Sequence, residues 1–259
     1  MNEFPMVCRK QLLESDEAPD IRAPQSTPTK QSKMGGTMED DEDFALFIES
    51  FGEATEHDPV PETAFSKWAG ILPESLLSYW RRDGWANYGN GRLWTVNPED
   101  YEGLMHMWLS GTPFPLIDTY HVFARSGFGR LYLCGEASGA GVSIDPIRSE
   151  VFALQNCLRP KSLARQEGGI KAFFACAELD DFDLMDGAEE LPYDRAVSTC
   201  GHLMADEMYG FEPALVCGGE VAIGNLRRFK LQPHLHMLRE FAAPAFPRYA
   251  NNVMPLARK

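Results

Sequence analysis

Apolar residues recur every three to four positions in three early segments of the chain, which is the spacing of one helix face. The three predicted helices run from residue 44 to Gly52, from Pro61 to Gly70 and from Pro73 to Gly84. Acidic residues 39–43 precede the first helix, where the helix dipole favours negative charge. Proline suits the first turn of a helix and glycine the position after its end, so these residues mark the boundaries.

Short apolar runs replace the helical spacing after residue 90. We predict strands at residues 92–96, 119–124, 130–134 and 141–144, and a helix at residues 98–109 with Asn97 as its N-cap. The Ser126-Gly127 and Ser138-Gly139 pairs divide the later strands into two consecutive hairpins. The expected fold class is therefore α+β, with N-terminal helices packed on a small antiparallel sheet.

Helical patterns dominate the rest of the chain. We predict helices at residues 160–177, 188–200, 204–209 and 224–242, which form a smaller, mostly helical second domain. The predicted organisation is a disordered leader (1–38), an α+β domain (39–156), the smaller domain (157–242) and a basic tail (243–259). The leader is rich in Ser, Thr, Pro and Lys and has too little apolar surface to offset the entropy of ordering.

The composition is acidic, with 24 Lys and Arg against 38 Asp and Glu and a net charge of −14. Such a chain does not bind nucleic acid through its overall field, because phosphate neutralisation needs a surplus of bases. No apolar run has the length of a membrane span, and the N-terminus lacks the pattern of a signal peptide. We therefore expect a cytoplasmic protein without membrane or nucleic-acid partners.

The acids are concentrated in one stretch. Residues 173–224 contain twelve acids and one base, a net charge of −11, whereas residues 225–259 contain seven bases and one acid, a net charge of +6. This polarity indicates either an electrostatically specified protein partner or a solvated acidic face. A third alternative is a Ca²⁺ or Mg²⁺ site, although the spacing fits no known loop. The candidate partner-binding acids are Glu178, Asp180, Asp181, Asp183, Asp186, Glu189 and Glu190.

Recognisable catalytic motifs are missing from the sequence, including the P-loop, G-x-S-x-G and H-E-x-x-H. His234 and His236 diverge on the predicted helix and could chelate a metal only on a strand. We therefore predict no catalytic residue, cofactor or metal. The tryptophans between positions 68 and 108 fit core packing, but Trp85 and Tyr88 in a Gly-rich turn could belong to a binding surface.

Several ordered motifs resemble a known family. They are Phe47-Ile48-Glu49-Ser50-Phe51-Gly52, Asp58-Pro59-Val60-Pro61, Gly70-Ile71-Leu72-Pro73, Tyr79-Trp80-Arg81-Arg82-Asp83-Gly84-Trp85, Trp94-Thr95-Val96-Asn97-Pro98, Gly111-Thr112-Pro113-Phe114 and Asp118-Thr119-Tyr120-His121-Val122. Together they resemble the GAD-like domain. The later run Asp206-Glu207-Met208-Tyr209-Gly210-Phe211-Glu212-Pro213-Ala214-Leu215, then Gly218-Gly219, resembles the small domain that follows it in immunity proteins of type VI secretion DNase effectors.

This resemblance implies a non-enzymatic protein that forms a heterodimer with a cognate DNase toxin and blocks it. An acidic face could cover the basic surface that the nuclease presents to DNA. The resemblance names no interface residues, so the candidate acids rest on charge alone. Two other functions stay open: an acidic regulatory or scaffold protein without a toxin, and an enzyme with an unrecognised site.

Overall fold

The computed structural model describes residues 41–187 and 190–245. The predicted leader, most of the predicted basic tail and the candidate residue Glu189 lie outside the described residues. Within the described ranges, no helix has the length and apolar character needed to cross a membrane.

The elements follow the chain in a simple order. The helices are α1 (Glu42–Phe51), α2 (Glu62–Trp68), α3 (Glu74–Asp83), α4 (Glu102–Leu109), α5 (Leu163–Ala175), α6 (Tyr193–Cys200) and α7 (Leu231–Phe241). The strands are β1 (Glu56–Asp58), β2 (Trp85–Tyr88), β3 (Leu93–Thr95), β4 (Tyr120–Ser126), β5 (Leu131–Gly135), β6 (Gly139–Asp145), β7 (Glu150–Ala153), β8 (Glu207–Phe211) and β9 (Leu226–Lys230). Short 3₁₀ turns join several of them, including Pro98–Tyr101 and Leu179–Phe182.

Strands β1 to β7 form one antiparallel sheet in which every strand pairs with its neighbour in sequence. The structure thus confirms the α+β class and the two hairpins that join β4, β5 and β6. The predicted helix ends at Gly52 and Gly84 are also confirmed, since each of these glycines has a positive φ. Strands β1, β2 and β7 were not predicted, because they are short and gain stability only from pairing with the next strand.

Two apolar cores lie on opposite faces of the sheet. Helices α1, α2, α3 and α5 cover one face, where Phe47, Trp80 and Phe174 are completely or almost completely buried. Helices α4, α6 and α7 cover the other face, around Trp108 and Leu131. Both cores draw residues from either side of the predicted boundary near residue 156. The division into two domains stays a prediction. In each core, apolar side chains from both sides of the predicted boundary pack together.

Two predicted helices need correction. Residues 204–209 were predicted to be helical, but the segment forms strand β8 from residue 207. Residues 224–242 form strand β9 first and helix α7 only from Leu231 onward. Strands β8 and β9 pair with each other in antiparallel fashion, with Glu207 opposite Lys230. The two strands stabilise each other although they are distant in the sequence. The spacing of apolar residues within each segment therefore wrongly predicted a helix.

Candidate functional site

The acid-rich segment after α5 (residues 178–187 and 190) is held in place by an apolar side chain and by its own carboxylates. Phe182 is buried against Phe51, with ring centroids 5.5 Å apart. The 3₁₀ turn Leu179–Phe182 begins with a capping box: the Glu178 side chain accepts from the backbone of Asp181, and the Asp181 side chain accepts from the N–H of Glu178. Burial raises the pKa of Asp181 to about 6. Part of the negative charge in this segment therefore stabilises its backbone.

Asp183 is buried, which corrects its place among the candidate contact residues. Its Oδ1 accepts from the N–H of Leu184 at 2.7 Å, and its Oδ2 accepts from the N–H of Tyr193 at 3.0 Å. Burial raises the pKa of this carboxyl to about 6. Asp183 satisfies an N–H at the first residue of α6, so its carboxylate fixes the helix start and is not presented to a partner.

Asp186 also points inward. Its Oδ1 accepts from the N–H of Glu190 at 2.9 Å, and its Oδ2 lies 2.6 Å from Nη2 of Arg195. Arg195 forms a second ion pair with the exposed carboxylate of Glu190, at 2.9 Å. The single base of the acidic stretch thus joins α6 to two of the acids that precede it.

Three of the predicted residues remain on the surface: Glu178, Asp180 and Glu190. In the part of the chain that the structure describes, Glu178 and Asp180 form no ion pair. Asp194, which was not among the candidates, joins them with a side chain that is 79% exposed and 2.9 Å from Nη2 of Arg92. Its position in the first turn of α6 is the signal that marks it as a surface acid.

Tyr88 is not a surface residue, and the prediction that it lies in a Gly-rich turn is wrong. It ends strand β2, is completely buried against Phe47, and donates a hydrogen bond to Oδ2 of Asp83 at 2.9 Å. Burial raises the pKa of its hydroxyl far above the ordinary value. Trp85 begins the same strand and is only half-buried, with its ring edge towards Trp80.

Trp85 lines a cavity of about 230 Å³ that the sequence did not predict. Glu56, Asp58 and Asp100 stand at this cavity beside Trp94, and the buried Arg125 belongs to its wall. No single sequence motif connects these residues, because they come from four strands and the turn before α4. Their juxtaposition depends on strand register.

The described residues contain no group of three or more His, Cys, Asp or Glu side chains arranged to hold a metal ion. His234 and His236 both lie on α7, where the sequence placed them. His234 is buried and stacks on Phe229 with ring centroids 3.9 Å apart, and burial lowers its pKa to about 4. His236 is exposed, and its Nδ1 lies 2.8 Å from the carbonyl oxygen of Gln232.

Several acids of residues 173–224 form ion pairs with bases of residues 225–259. Lys230 of β9 pairs with Asp206 at 2.8 Å and with Glu207 of β8 at 3.4 Å. Arg227 pairs with Glu212 at 3.5 Å. These ion pairs stabilise the pairing of β8 with β9. The excess of negative charge on the surface therefore lies at the acids before and within α6.

The fold and this surplus define an acidic α+β protein with a seven-stranded sheet between two cores. Residues 42–148 match the family model of the GAD-like domain. Residues 167–242 match the family model described as T6SS immunity protein Tdi1, C-terminal. The two matches, in this order along the chain, support a GAD-like type VI secretion immunity protein, which confirms the resemblance seen in the motifs.

A crystal structure of Atu4351 from Agrobacterium tumefaciens has a similar fold, with a TM-score of 0.68 and 18% sequence identity. The similarity covers 78% of this chain and 91% of that chain. No match was found among curated proteins.

Proposed function

We propose that this chain binds and neutralises a type VI secretion toxin made by the same cell, that the toxin is a DNase, and that the two form a heterodimer. The match of residues 167–242 to the T6SS immunity protein model is the observation that carries this proposal. The chain acts by occupying a surface of the toxin, without catalysis of its own.

The surplus of surface carboxylates supports this type of partner. A DNase presents Lys and Arg to DNA phosphates, and an acidic protein can compete for that surface. Glu178, Asp180, Glu190 and Asp194 are exposed in and after the acid-rich segment. Complementary charges speed the encounter of two proteins and select the correct partner, which an inhibitor of a lethal enzyme requires.

Internal hydrogen bonds divide the predicted acids into two groups. Asp181, Asp183 and Asp186 hold the segment in shape, whereas Glu178, Asp180 and Glu190 are exposed, although Glu178 also accepts from the backbone of Asp181. The contact residues of the proposed interface belong to the second group. Asp183 contributes indirectly, because it fixes the start of the helix that carries Asp194.

Co-expression with the toxin tests the proposal. The product of the adjacent reading frame is produced alone and together with this chain, and growth, co-purification and plasmid cleavage are measured. We expect growth arrest and DNA cleavage by the toxin alone, and rescue together with a stable complex when both are present. Growth that is unaffected by this chain, or the absence of a complex, would contradict the proposed function.

A charge-reversal pair tests the acidic face. Glu178→Lys with Asp180→Lys is compared with Glu49→Lys with Glu240→Lys, which makes the same change at exposed acids of α1 and α7. We expect the first pair to slow association with the toxin about tenfold at low salt, and the difference to shrink at high salt because exposed charges are screened. Equal rates for the two pairs would place the interface elsewhere.

A further inference from the structure

Four side chains, one from each of the strands β1 to β4, form one row across the seven-stranded sheet. Strand register places Glu56 opposite Asn87, Asn87 opposite Trp94, and Trp94 opposite Arg125. Residues opposite each other in a sheet share a face, so this row runs from the terminal strand β1 into the second core. In the neighbouring row, Asp58 lies opposite Trp85. The cavity lies along these two rows.

The wall of the cavity contains a buried positive charge. Arg125 has no exposed surface, and its guanidinium carbon lies 4.5 Å from the centre of the Trp94 ring. Its Nη2 donates to the carbonyl oxygen of Ala205 at 2.8 Å, and its Nη1 donates to that of Ser126 at 3.3 Å. Among the described residues its Nε has no acceptor, and neither does Nε1 of Trp85. Both atoms are buried and Arg125 also forms a hydrogen bond with Tyr101, so these groups belong to the packed wall of the cavity.

The rim of the same cavity has the opposite charge. Glu56, Asp58 and Asp100 are exposed, and none of them forms an ion pair within residues 41–187 and 190–245. Three carboxylates repel a phosphate or a free carboxylate and attract a cation. A ligand that complements this rim has basic groups. A peptide segment with Lys or Arg side chains has such groups, and its main chain can also pair with the edge of a strand.

Strand β1 offers such a segment a place to bind. It is the terminal strand of the sheet, and all three of its residues are exposed and line the cavity. The opposite terminal strand, β7, is covered at Glu150 by a bridge to Ala245. In the described part of the chain, no segment pairs with the outer edge of β1. An open edge strand is a ready template for the addition of another strand.

We propose that the edge of β1 and the adjoining cavity bind an extended basic segment of the toxin. Its Lys or Arg side chains lie beside Glu56, Asp58 and Asp100, and its main chain pairs with the outer edge of β1. This inference rests on the proposed function, and it adds a second contact surface to the acidic segment that precedes α6. The surface selects for an extended basic peptide, which a duplex nucleic acid does not provide.

Hydrogen–deuterium exchange tests the proposal on the unmodified protein. Exchange at residues 54–60 and 85–88 is measured for the chain alone and in complex with the product of the adjacent reading frame. We expect at least about tenfold slower exchange of the β1 amides in the complex, because strand addition protects outward N–H groups. A complex that forms without protection of β1 overturns this inference and leaves the proposed function intact. If no complex forms at all, the proposed function fails and this inference fails with it.

Charge changes at the rim give a second readout. Glu56→Lys with Asp58→Lys is compared with Glu49→Lys with Glu240→Lys, and the dissociation constant of the complex is measured for each. We expect the rim pair to weaken binding at least about tenfold and the control pair less than about threefold. Each variant is first checked for an unchanged melting temperature, and Asp100→Lys serves as the substitute if the β1 pair unfolds the protein. Equal losses for rim and control would overturn the proposal.

A small anion is the competing occupant of the cavity. Titration of the protein with inorganic phosphate, followed by its melting temperature, distinguishes the two ligands. We expect no stabilisation by phosphate, because the three rim carboxylates repel it. Stabilisation that saturates with phosphate would show an anion site and overturn the peptide proposal.

Discussion

The carboxylate of Asp183 accepts a hydrogen bond from the backbone N–H of Tyr193, with Oδ2 and N 3.0 Å apart. Tyr193 is itself completely buried and packs its ring edge-on against Phe128, with centroids 5.7 Å apart. One of the acids that gives this segment its charge is thus a structural group that joins the acid-rich loop to the second core. The number of acids in this segment is therefore larger than the number of carboxylates that it exposes on the surface.

The first prediction concerns this hydrogen bond. Asp183→Ala should lower the free energy of unfolding by about 2–4 kcal/mol, because two backbone N–H groups lose a charged acceptor. Asp180→Ala, at an exposed acid in the same segment, should change it by less than about 0.5 kcal/mol. Urea denaturation of both variants measures the difference, and similar values for the two would show that Asp183 is not a structural residue.

The second prediction concerns the pH dependence of stability near His234. Burial lowers the pKa of His234 to about 4 from 6.5, so the unfolded chain takes up the proton first when the pH falls. The stability that depends on the neutral ring is present above pH 6.5 and is lost as the pH falls towards 4. Relative to His234→Gln, the wild type should lose about 2–3 kcal/mol between pH 7.5 and pH 4.5.

His236→Gln is the matched control, because His236 is exposed on the same helix. It should leave the free energy of unfolding at pH 7.5 within about 0.5 kcal/mol of the wild type. The pH effect expected for Asp183 has the opposite sign. Its folded pKa of about 6 lies above the ordinary 3.8, so its contribution to stability falls as the pH rises from about 4 to 6. Chemical denaturation over this range measures each variant against the wild type. Parallel curves for the wild type and His234→Gln would contradict the prediction.

The third prediction concerns the ion pairs that two arginines form with the buried Asp145 at the β5–β6 hairpin. Asp145 is buried, and its Oδ2 lies 2.6 Å from Nη2 of Arg130 and 3.0 Å from Nη1 of Arg148. Burial opposes ionisation of Asp145, but the two guanidinium charges outweigh it and hold its pKa below the ordinary value. Asp145→Asn should cost about 1.5–3 kcal/mol, because the two charge-assisted hydrogen bonds to arginines that are only partly buried or exposed are weakened.

The sign of the pH effect follows from the lowered pKa. The stability contributed by Asp145 is present above pH 3.8 and is lost as the pH falls through its folded pKa. Acid unfolding of the wild type and of Asp145→Asn measures this contribution. A loss below about 1 kcal/mol at neutral pH would show that these ion pairs add little to stability.

The fourth prediction concerns a close approach between the sheet and α6. A Cβ at Gly127 would lie 2.6 Å from Cε2 of Tyr193 and 2.8 Å from the carbonyl oxygen of Gly91. The carbonyl oxygen of Gly127 also accepts from the N–H of Tyr209 at 2.9 Å. Gly127→Ala should therefore destabilise the protein by about 1–3 kcal/mol, since neither the backbone nor the buried ring can move freely.

Gly168 gives the contrasting case. It lies inside α5, and a Cβ there would meet no atom within 4 Å. Gly168→Ala should raise the free energy of unfolding by about 0.5–1 kcal/mol, because alanine favours the helix and restricts the unfolded chain. Thermal denaturation of both variants measures the opposite signs. Stabilisation by Gly127→Ala would mean that the turn has more space than the structure shows.

The sequence by itself determined the elements that depend on local pattern. The apolar faces of α1 and α3, their ends at Gly52 and Gly84, and the N-cap at Asn97 follow from residues within a few positions of one another. The Gly-containing turns likewise fixed the hairpins of the central sheet. The ordered motifs were sufficient for the family resemblance, which the matches over residues 42–148 and 167–242 support.

Only the tertiary structure decided which charges reach the surface and which strands form. Glu56-His57-Asp58 is entirely polar and exposed, and it becomes a strand only because β2 pairs with it. Asp183 and Glu178 have the same charge in sequence, yet packing against the second core buries the first and leaves the second exposed. The row from Glu56 to Arg125 spans four strands, so its cavity depends on register and not on any local pattern. Burial and strand pairing are properties of distant residues brought together, and a local pattern does not contain them.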